Sequence, residues 1–118
     1  MKILFAAPDR DLLECYKSIL ENDMGELIAA FDGAQVLSLV GSEKFDISVL
    51  DCDLPRVEFD RLTAKMKEKQ IPVIALTNGH KAKDPKADAY LTYPFMPEVI
   101  EDLIRKTLDR AKKGQINE

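Results

Sequence analysis

Short apolar runs recur along the chain at intervals that suit alternating strands and helices. Turn-forming or charged residues bound each run, and we interpret the runs as strands at Ile3–Ala7, Leu27–Phe31, Ile47–Leu50, Val73–Leu76 and, more weakly, Ala89–Tyr93. The third and fourth runs alternate little between apolar and polar residues, which is typical of strands that helices cover on both faces of a parallel sheet. We therefore expect these two strands at the centre of the sheet.

The segments between these runs carry the apolar period of amphipathic helices. Stripes of this kind are found at Leu12–Leu20, Val36–Val40, Phe59–Met66 and Val99–Leu108. Asp11 and Glu14 have the spacing of a capping box, which favours a helix start at the first stripe. The last stripe is the strongest, because Pro97 lies in its first turn and Gly114 follows two lysines at its end.

Residues 78–88 interrupt this alternation. The stretch is polar and has no apolar stripe, and Pro85 disfavours a helix at the residue before it. We predict a loop or a single short turn there. The helix that the alternation requires between the fourth and fifth strands is therefore expected to be short or missing.

Alternating strands and helices with short connections predict right-handed crossovers and a parallel sheet. The expected fold is a doubly wound α/β sheet of five strands in the flavodoxin-like order 2-1-3-4-5. Ligands bind such sheets at the carboxyl ends of the strands, at the point where the strand order reverses. The first and third strands are neighbours there, so that Ala7, Pro8 and Asp9 should lie close to Asp51 and Asp53.

Length, composition and charge narrow the class of protein. The chain has 118 residues, 46% of them hydrophobic and 32% charged, as expected for one soluble domain, which we place at residues 1–113 with a flexible tail at 114–118. A net charge of −4 disfavours binding to nucleic acid, because that binding needs cations for the phosphates. The cysteines Cys15 and Cys52 form no paired motif, which fits a reducing, cytoplasmic location without a membrane span.

Asp51 is the first candidate for chemistry. An Asp that ends a buried strand is an unusual choice for packing, because its carboxylate must be solvated or hydrogen-bonded. A structural role is equally open, since Asp commonly caps the loop that leads into a helix.

From the first strand to the last helix, the sequence resembles the receiver domains of two-component response regulators. The residues that carry the resemblance are Met1–Leu4, Asp32-Gly33, Phe45–Asp51, Leu54-Pro55, Ile71–Thr77, Ala87–Thr92 and Pro94-Phe95. In receivers, the residue at the position of Asp51 accepts a phosphoryl group from a histidine kinase. The hydroxyl at Thr77 bonds to that group, and the aromatic at Tyr90 rotates as the second half of the switch. The resemblance implies a signalling module and not an enzyme, with a sensor histidine kinase or a downstream effector as partner and a homodimer as a further assembly.

The sequence departs from the receiver pattern at the residues that hold the phosphoryl group. Receivers carry two adjacent acidic residues after the first strand, which bind Mg²⁺ together with the phospho-acceptor, whereas this chain has Ala7 and Pro8. Receivers also place a Lys before the Pro-Phe pair, and this chain has Tyr93 there. Cations catalyse phosphoryl transfer by neutralising the phosphoryl oxygens. We therefore expect weak or no Mg²⁺-dependent phosphorylation, and a pseudo-receiver that functions through protein binding.

Two alternatives stay open. Asp9 and Asp53 are weak candidates to complete a metal site with Asp51, which would give a working phospho-accepting receiver. Asp9 is equally well explained as the N-cap of the first helix. Asp51-Cys52-Asp53 also resembles the Asp-x-Asp nucleophile motif of haloacid-dehalogenase phosphatases. Members of that family carry the nucleophile on the first strand and need a downstream acidic pair, so the phosphatase is the more remote alternative.

Overall fold

The computed structural model describes residues 1–78 and 87–116. The elements in this part of the chain are β1 (Lys2–Ala6), α1 (Arg10–Met24), β2 (Glu26–Ala30), α2 (Gly33–Ser42), β3 (Ile47–Asp51), α3 (Phe59–Glu68), β4 (Val73–Thr77), β5 (Ala89–Thr92) and α4 (Pro97–Ile116). The strands form one parallel sheet in the order β2-β1-β3-β4-β5, which confirms the predicted fold and strand order. Each strand lies within one residue of its predicted position.

Helices cover both faces of the sheet, so that successive residues of a central strand enter two different apolar clusters. In β1, Phe5 packs with Leu13 of α1 and Ile100 of α4 on one face. Leu4 packs on the other face with Leu62 of α3. Every residue of β3 and β4 is buried, as the continuous apolar runs predicted. None of the helices in the described part of the chain is long and apolar enough to cross a membrane.

The cap of α1 is Asp9, and the predicted capping box at Asp11 is wrong. The Asp9 carboxylate accepts hydrogen bonds from the backbone N–H groups of Asp11 at 3.0 Å and Leu12 at 3.2 Å. Asp11 instead lies inside the first turn, where an acid is favoured by the helix dipole. The sequence offers acids at both positions, and the extended backbone of Asp9 gives that residue the cap.

The last helix is longer than the sequence predicted. Helix α4 continues through Gly114 to Ile116, although a flexible tail was expected from residue 114 onwards. A glycine costs a helix only about 1 kcal/mol relative to alanine, which is too little to end a helix of this length by itself. The division into a domain at 1–113 and a tail at 114–118 stays a prediction. The predicted loop at 78–88 falls mostly outside the described residues.

Candidate functional site

The carboxyl ends of the central strands border a pocket of about 440 Å³. Its apolar wall is formed by Pro8, Leu12 and Pro94 together with the side chain of Tyr93, and its polar groups come from Asp9, Asp51, Asp53 and Asn78. The pocket therefore brings together most of the site residues that the sequence singled out. Thr77 and Tyr90 are not part of its lining.

Asp51 ends β3 with a carboxylate that is bonded on both oxygens. The side chain is only 8% exposed. Its Oδ1 accepts a hydrogen bond from the backbone N–H of Asp53 at 2.7 Å, and its Oδ2 accepts one from the hydroxyl of Tyr93 at 2.8 Å. These two bonds offset the cost of removing a carboxylate from water. A carboxylate has about four acceptor positions, so Asp51 can accept further donors from the pocket.

Tyr93 holds its proton in this contact. Burial raises the pKa of the Tyr93 hydroxyl, and the neighbouring Asp51 carboxylate raises the pKa further. The phenol is consequently a neutral hydrogen-bond donor throughout the physiological pH range. Its backbone N–H donates to the carbonyl of Thr77 at 2.8 Å, which anchors the residue beside the end of β4.

An aromatic ladder, formed by Tyr93, Phe95, Tyr16 and Phe5, supports the Tyr93 ring from behind. The ring centroids are separated by 5.5 Å from Tyr93 to Phe95, by 4.8 Å from Phe95 to Tyr16 and by 5.9 Å from Tyr16 to Phe5. The hydroxyl of Tyr16 donates to the backbone carbonyl of Phe95 at 2.6 Å. The ladder thus connects the Asp51 contact to α1 and to the core of the sheet.

The residues present do not fit a magnesium ion. Ala7 is buried and provides no oxygen ligand from its side chain, and Pro8 contributes only apolar wall. Asp9 shares the pocket with Asp51 and Asp53, but it caps α1 through Oδ1. Within residues 1–78 and 87–116, no three His, Cys, Asp or Glu side chains are placed to hold a metal ion. Around Asp51, water would have to supply most of the near-octahedral oxygen coordination that Mg²⁺ requires, which makes a weak site.

Thr77 and Tyr90 lie on the two strands farthest from β2. Thr77 is buried at the end of β4, and its hydroxyl forms a 3.1 Å hydrogen bond with the hydroxyl of Thr92 on β5. Tyr90 is an exposed residue of β5 whose hydroxyl accepts a long bond of 3.4 Å from the N–H of Ala87. Their roles as a switch stay predictions.

Cys52, next to Asp51, is a protonated thiol. Burial and then the carboxylates of Asp51 and Asp53 raise its pKa to about 11. A thiol with such a pKa is a poor nucleophile at neutral pH, because only the thiolate reacts.

Sequence reasoning missed the contacts that shape this site. It treated Tyr93 as the loss of a lysine, whereas the phenol reaches Asp51 and bonds to it. It also assigned Tyr16 to the apolar stripe of the first helix, without its bond to Phe95. The available signal was chemical: both residues carry a hydroxyl at the tip of an aromatic ring, and such a hydroxyl needs a partner when it is buried.

Comparisons with known proteins agree with this architecture. The family model for the response regulator receiver domain matches residues 3–106. The chain is 34% identical over 117 residues to the transcriptional regulatory protein CpxR of Escherichia coli K12, an alignment that covers 93% of this chain and 50% of CpxR. The chain spans about half the length of the curated relatives it matches.

Solved structures of receiver domains superpose closely on the chain. A CheY-like response regulator receiver domain protein from Methanospirillum hungatei JF-1 is 26% identical, with a TM-score of 0.87 and coverage of 96% of this chain and 97% of that one. The receiver domain of the sensor histidine kinase PA1611 from Pseudomonas aeruginosa PAO1 is 19% identical, with a TM-score of 0.81 and coverage of 92% and 97%. That structure contains a magnesium ion in its active site cleft, and at this identity the likeness concerns the fold alone.

Proposed function

Because this chain belongs to the family of response regulator receiver domains, which act in two-component signalling, we propose that it is an atypical member, a pseudo-receiver. In this proposal, phosphorylation of Asp51 with Mg²⁺ is weak or does not occur. The chain is not an enzyme, and it acts in the cytoplasm by binding other proteins. Its partners are a sensor histidine kinase, a downstream effector or a second copy of the chain.

The observation that carries the proposal is the 2.8 Å hydrogen bond from the Tyr93 hydroxyl to Asp51 Oδ2. A lysine at this position would bring a positive charge to the phosphoryl oxygens, whereas the phenol is neutral. The phenol also donates a hydrogen bond to one of the two Asp51 oxygens that could attack phosphorus, and a hydrogen-bonded oxygen is a weaker nucleophile. Both effects disfavour phosphoryl transfer to Asp51.

The end of β1 supports the same conclusion. A receiver that depends on Mg²⁺ needs carboxylates there, and this chain has an alanine and a proline, at Ala7 and Pro8. The nearest acid is Asp9, whose Oδ1 accepts two backbone hydrogen bonds as the cap of α1. The cap leaves Asp9 only its Oδ2 for a metal, because turning Oδ1 away from α1 would leave the first turn of that helix uncapped, at a cost of about 1 kcal/mol.

The decisive experiment compares the chain with a variant in which the receiver residues are restored. Wild type, Ala7→Asp/Pro8→Asp/Tyr93→Lys and Asp51→Asn are incubated with phosphoramidate and Mg²⁺ and followed by intact mass. We expect no phosphoryl adduct on wild type and one adduct on the restored variant. Adding Asp51→Asn to the restored variant should abolish the phosphoryl adduct. Stoichiometric phosphorylation of wild type at Asp51 would overturn the proposal.

The alternative of a working receiver with a rebuilt metal site has one observation in its favour, which is that Asp9, Asp51 and Asp53 share the pocket. It predicts that wild type is phosphorylated in the presence of Mg²⁺ and that Asp53→Asn loses this Mg²⁺-dependent phosphorylation. The remoter phosphatase alternative is disfavoured because Asp51 ends the third strand and not the first.

A further inference from the structure

The pocket beside Asp51 combines an apolar wall with several carboxylates. We propose that it receives the side chain of an arginine from a partner protein. This inference rests on the proposed function, since a pocket that held Mg²⁺ and a phosphoryl group would have no room for an organic cation. It names the chemistry by which the pseudo-receiver would recognise its partner.

The size and lining of the pocket suit an organic group better than a bare ion. Its volume of about 440 Å³ lies in the range of sites for organic ligands, which is about 300–1,000 Å³. Three apolar residues and the Tyr93 side chain form much of its surface, and an ion would gain nothing from this wall. The long methylene stem of an arginine can bury apolar surface there while its charged end remains hydrogen-bonded.

The carboxylates of the pocket have acceptor positions left over. Asp9 uses Oδ1 for both of its bonds to the α1 backbone. Asp51 accepts one donor on each oxygen, and each oxygen can accept a second. Asp53 contributes an exposed carboxylate at the same pocket. A guanidinium has five N–H donors in a planar fork, a number and geometry that match this group of oxygens.

The chain's own nearby arginines are held by other groups. The guanidinium of Arg10 lies 3.9 Å from the ring centroid of Phe31, and Arg56 pairs with Asp32 at 3.4 Å. Neither residue lines the pocket, and the lining found among the described residues includes no Lys, Arg or His. Among the residues that the structure describes, no cation therefore pairs with these carboxylates inside the pocket, and their negative field attracts a cation from outside.

Arginine fits the pocket better than lysine because the apolar wall includes the ring of Tyr93. A guanidinium is planar and weakly hydrated, and it stacks on aromatic rings, whereas an ammonium is a compact and strongly hydrated charge. The ladder behind Tyr93 keeps this ring in place. Asp53 and Asn78 are exposed, so the pocket opens to solvent and a side chain can enter while its backbone stays on the surface. This opening favours a protein as the source of the cation.

The test is an amide NMR titration of the whole chain with the blocked peptide acetyl-Gly-Ala-Arg-Ala-Gly-amide, without Mg²⁺. We expect saturable shifts that centre on Asp9, Leu12, Asp51, Asp53 and Tyr93. The same peptide with neutral citrulline in place of arginine should not saturate. Lysine in the same position should bind more weakly, and ethylguanidinium, which lacks most of the stem, should bind at least several-fold more weakly than the arginine peptide.

Two variants distinguish the pocket from general attraction to an acidic protein. Asp53→Asn should lower the affinity for the arginine peptide by about threefold or more, which is the scale of a partly exposed charge pair. Asp109→Asn removes an equal charge from the exposed face of α4 and should leave the affinity unchanged. The inference is overturned if the citrulline peptide binds equally, if both variants weaken binding alike, or if no shift saturates. If ethylguanidinium binds as tightly as the peptide, the proposal that the cation is an arginine side chain of a partner protein is overturned.

The peptide titration and the phosphorylation test have distinguishable outcomes. A peptide that fails to bind, with wild type still unphosphorylated, removes the arginine site and leaves the pseudo-receiver intact. Phosphorylation of wild type at Asp51 overturns the proposed function, whatever the peptide does.

Discussion

At the scale of single residues, the contact between Tyr93 and Asp51 determines the character of the pocket. A buried carboxylate must be satisfied by hydrogen bonds, and here a neutral phenol does so in place of a cation. The phenol therefore holds the carboxylate in position without neutralising its negative charge, which remains available to a group that enters the pocket. A single hydroxyl group connects the stability of the fold to the chemistry of the site.

Removing that hydroxyl should destabilise the protein. Tyr93→Phe keeps the ring in the aromatic ladder but leaves Asp51 Oδ2 without its donor, at a cost of about 1.5–3 kcal/mol in the free energy of unfolding. Urea denaturation at neutral pH measures the change. In a background that carries Asp51→Ala, the same substitution should cost much less, because the two residues interact directly. Equal costs in both backgrounds would show that the hydroxyl contributes through some other contact.

At the scale of elements, the start of α2 shows how tightly the loops at this edge of the sheet are packed. The N–H of Gly33 donates to the carbonyl of Pro55 at 2.9 Å, which joins α2 to the segment between β3 and α3. A Cβ added at Gly33 would lie 2.5 Å from the Cβ of Val57. Only glycine lets these two segments approach so closely.

The two glycines of α2 make a matched pair of substitutions. Gly33→Ala should lower the free energy of unfolding by about 1–3 kcal/mol, the scale of overpacking in a buried contact. Gly41→Ala should raise it by about 0.5–1 kcal/mol, because a Cβ there meets nothing within 4 Å and alanine favours the helix. Thermal and urea unfolding of both variants measure these opposite signs. If Gly33→Ala is neutral, the loop moves away without cost.

The contact between α1 and α4 contains a carboxyl pair that should make stability depend on pH. Glu101 of α4 is buried, and its hydrogen bond with Asp23 of α1 raises its pKa, followed by burial. Arg105 lowers the pKa and Glu98 raises it, each by its charge. Oε2 of Glu101 is buried and has no hydrogen-bond partner among the described residues. A protonated Glu101 can donate a hydrogen bond to the Asp23 carboxylate, whereas an ionised Glu101 has no proton to donate.

The direction of the pH effect follows from this raised pKa. The stabilising contribution of Glu101 is fully present below its ordinary pKa of 4.5, and it is lost as the pH rises through the raised value. Glu101→Gln keeps a donor for Asp23 at every pH, so this variant should gain stability relative to wild type as the pH rises from acid to neutral. Urea denaturation of both proteins from pH 4 to 7 tests this. If the difference in the free energy of unfolding between the two proteins stays constant from pH 4 to 7, the pair of Glu101 and Asp23 is not the source of the pH dependence.

The strands were predictable because each is a short apolar run between turn residues, and β3 and β4 were recognised as central because they lack alternation. The cap of α1 was not predictable in the same way, because Asp9 and Asp11 are both acceptable caps by residue type. The backbone conformation decided between them, and a periodic pattern carries no such information. Similarly, Pro85 and Gly114 mark breaks in a pattern without fixing where a helix ends.

At the scale of the whole molecule, the strand order brought Asp9, Asp51 and Asp53 to one pocket, as the sequence predicted from topology alone. The bond between Asp51 and Tyr93 was not predictable from topology, because it depends on the reach of one side chain across the pocket. The order of strands thus locates a site, and its chemistry depends on contacts between side chains that lie 42 residues apart.

A property of the whole chain tests the metal chemistry of the site. A ligand that binds only the folded state raises its stability in proportion to the logarithm of its concentration. We expect the melting temperature of wild type to be the same in 10 mM MgCl₂ as in NaCl of equal ionic strength. The Ala7→Asp/Pro8→Asp/Tyr93→Lys variant should melt at a higher temperature with Mg²⁺ than with NaCl. A specific Mg²⁺ stabilisation of wild type would instead support a site built from Asp9 and Asp53.

The aromatic ladder also gives the protein an internal optical label. The chain contains no tryptophan and three tyrosines, and two of these tyrosines, Tyr16 and Tyr93, belong to the ladder. Its near-ultraviolet circular dichroism and intrinsic fluorescence therefore report mainly on stacked rings that lie beside the pocket. Any molecule that enters the pocket and shifts Tyr93 changes this spectrum, so occupancy can be followed on the unmodified chain by light alone.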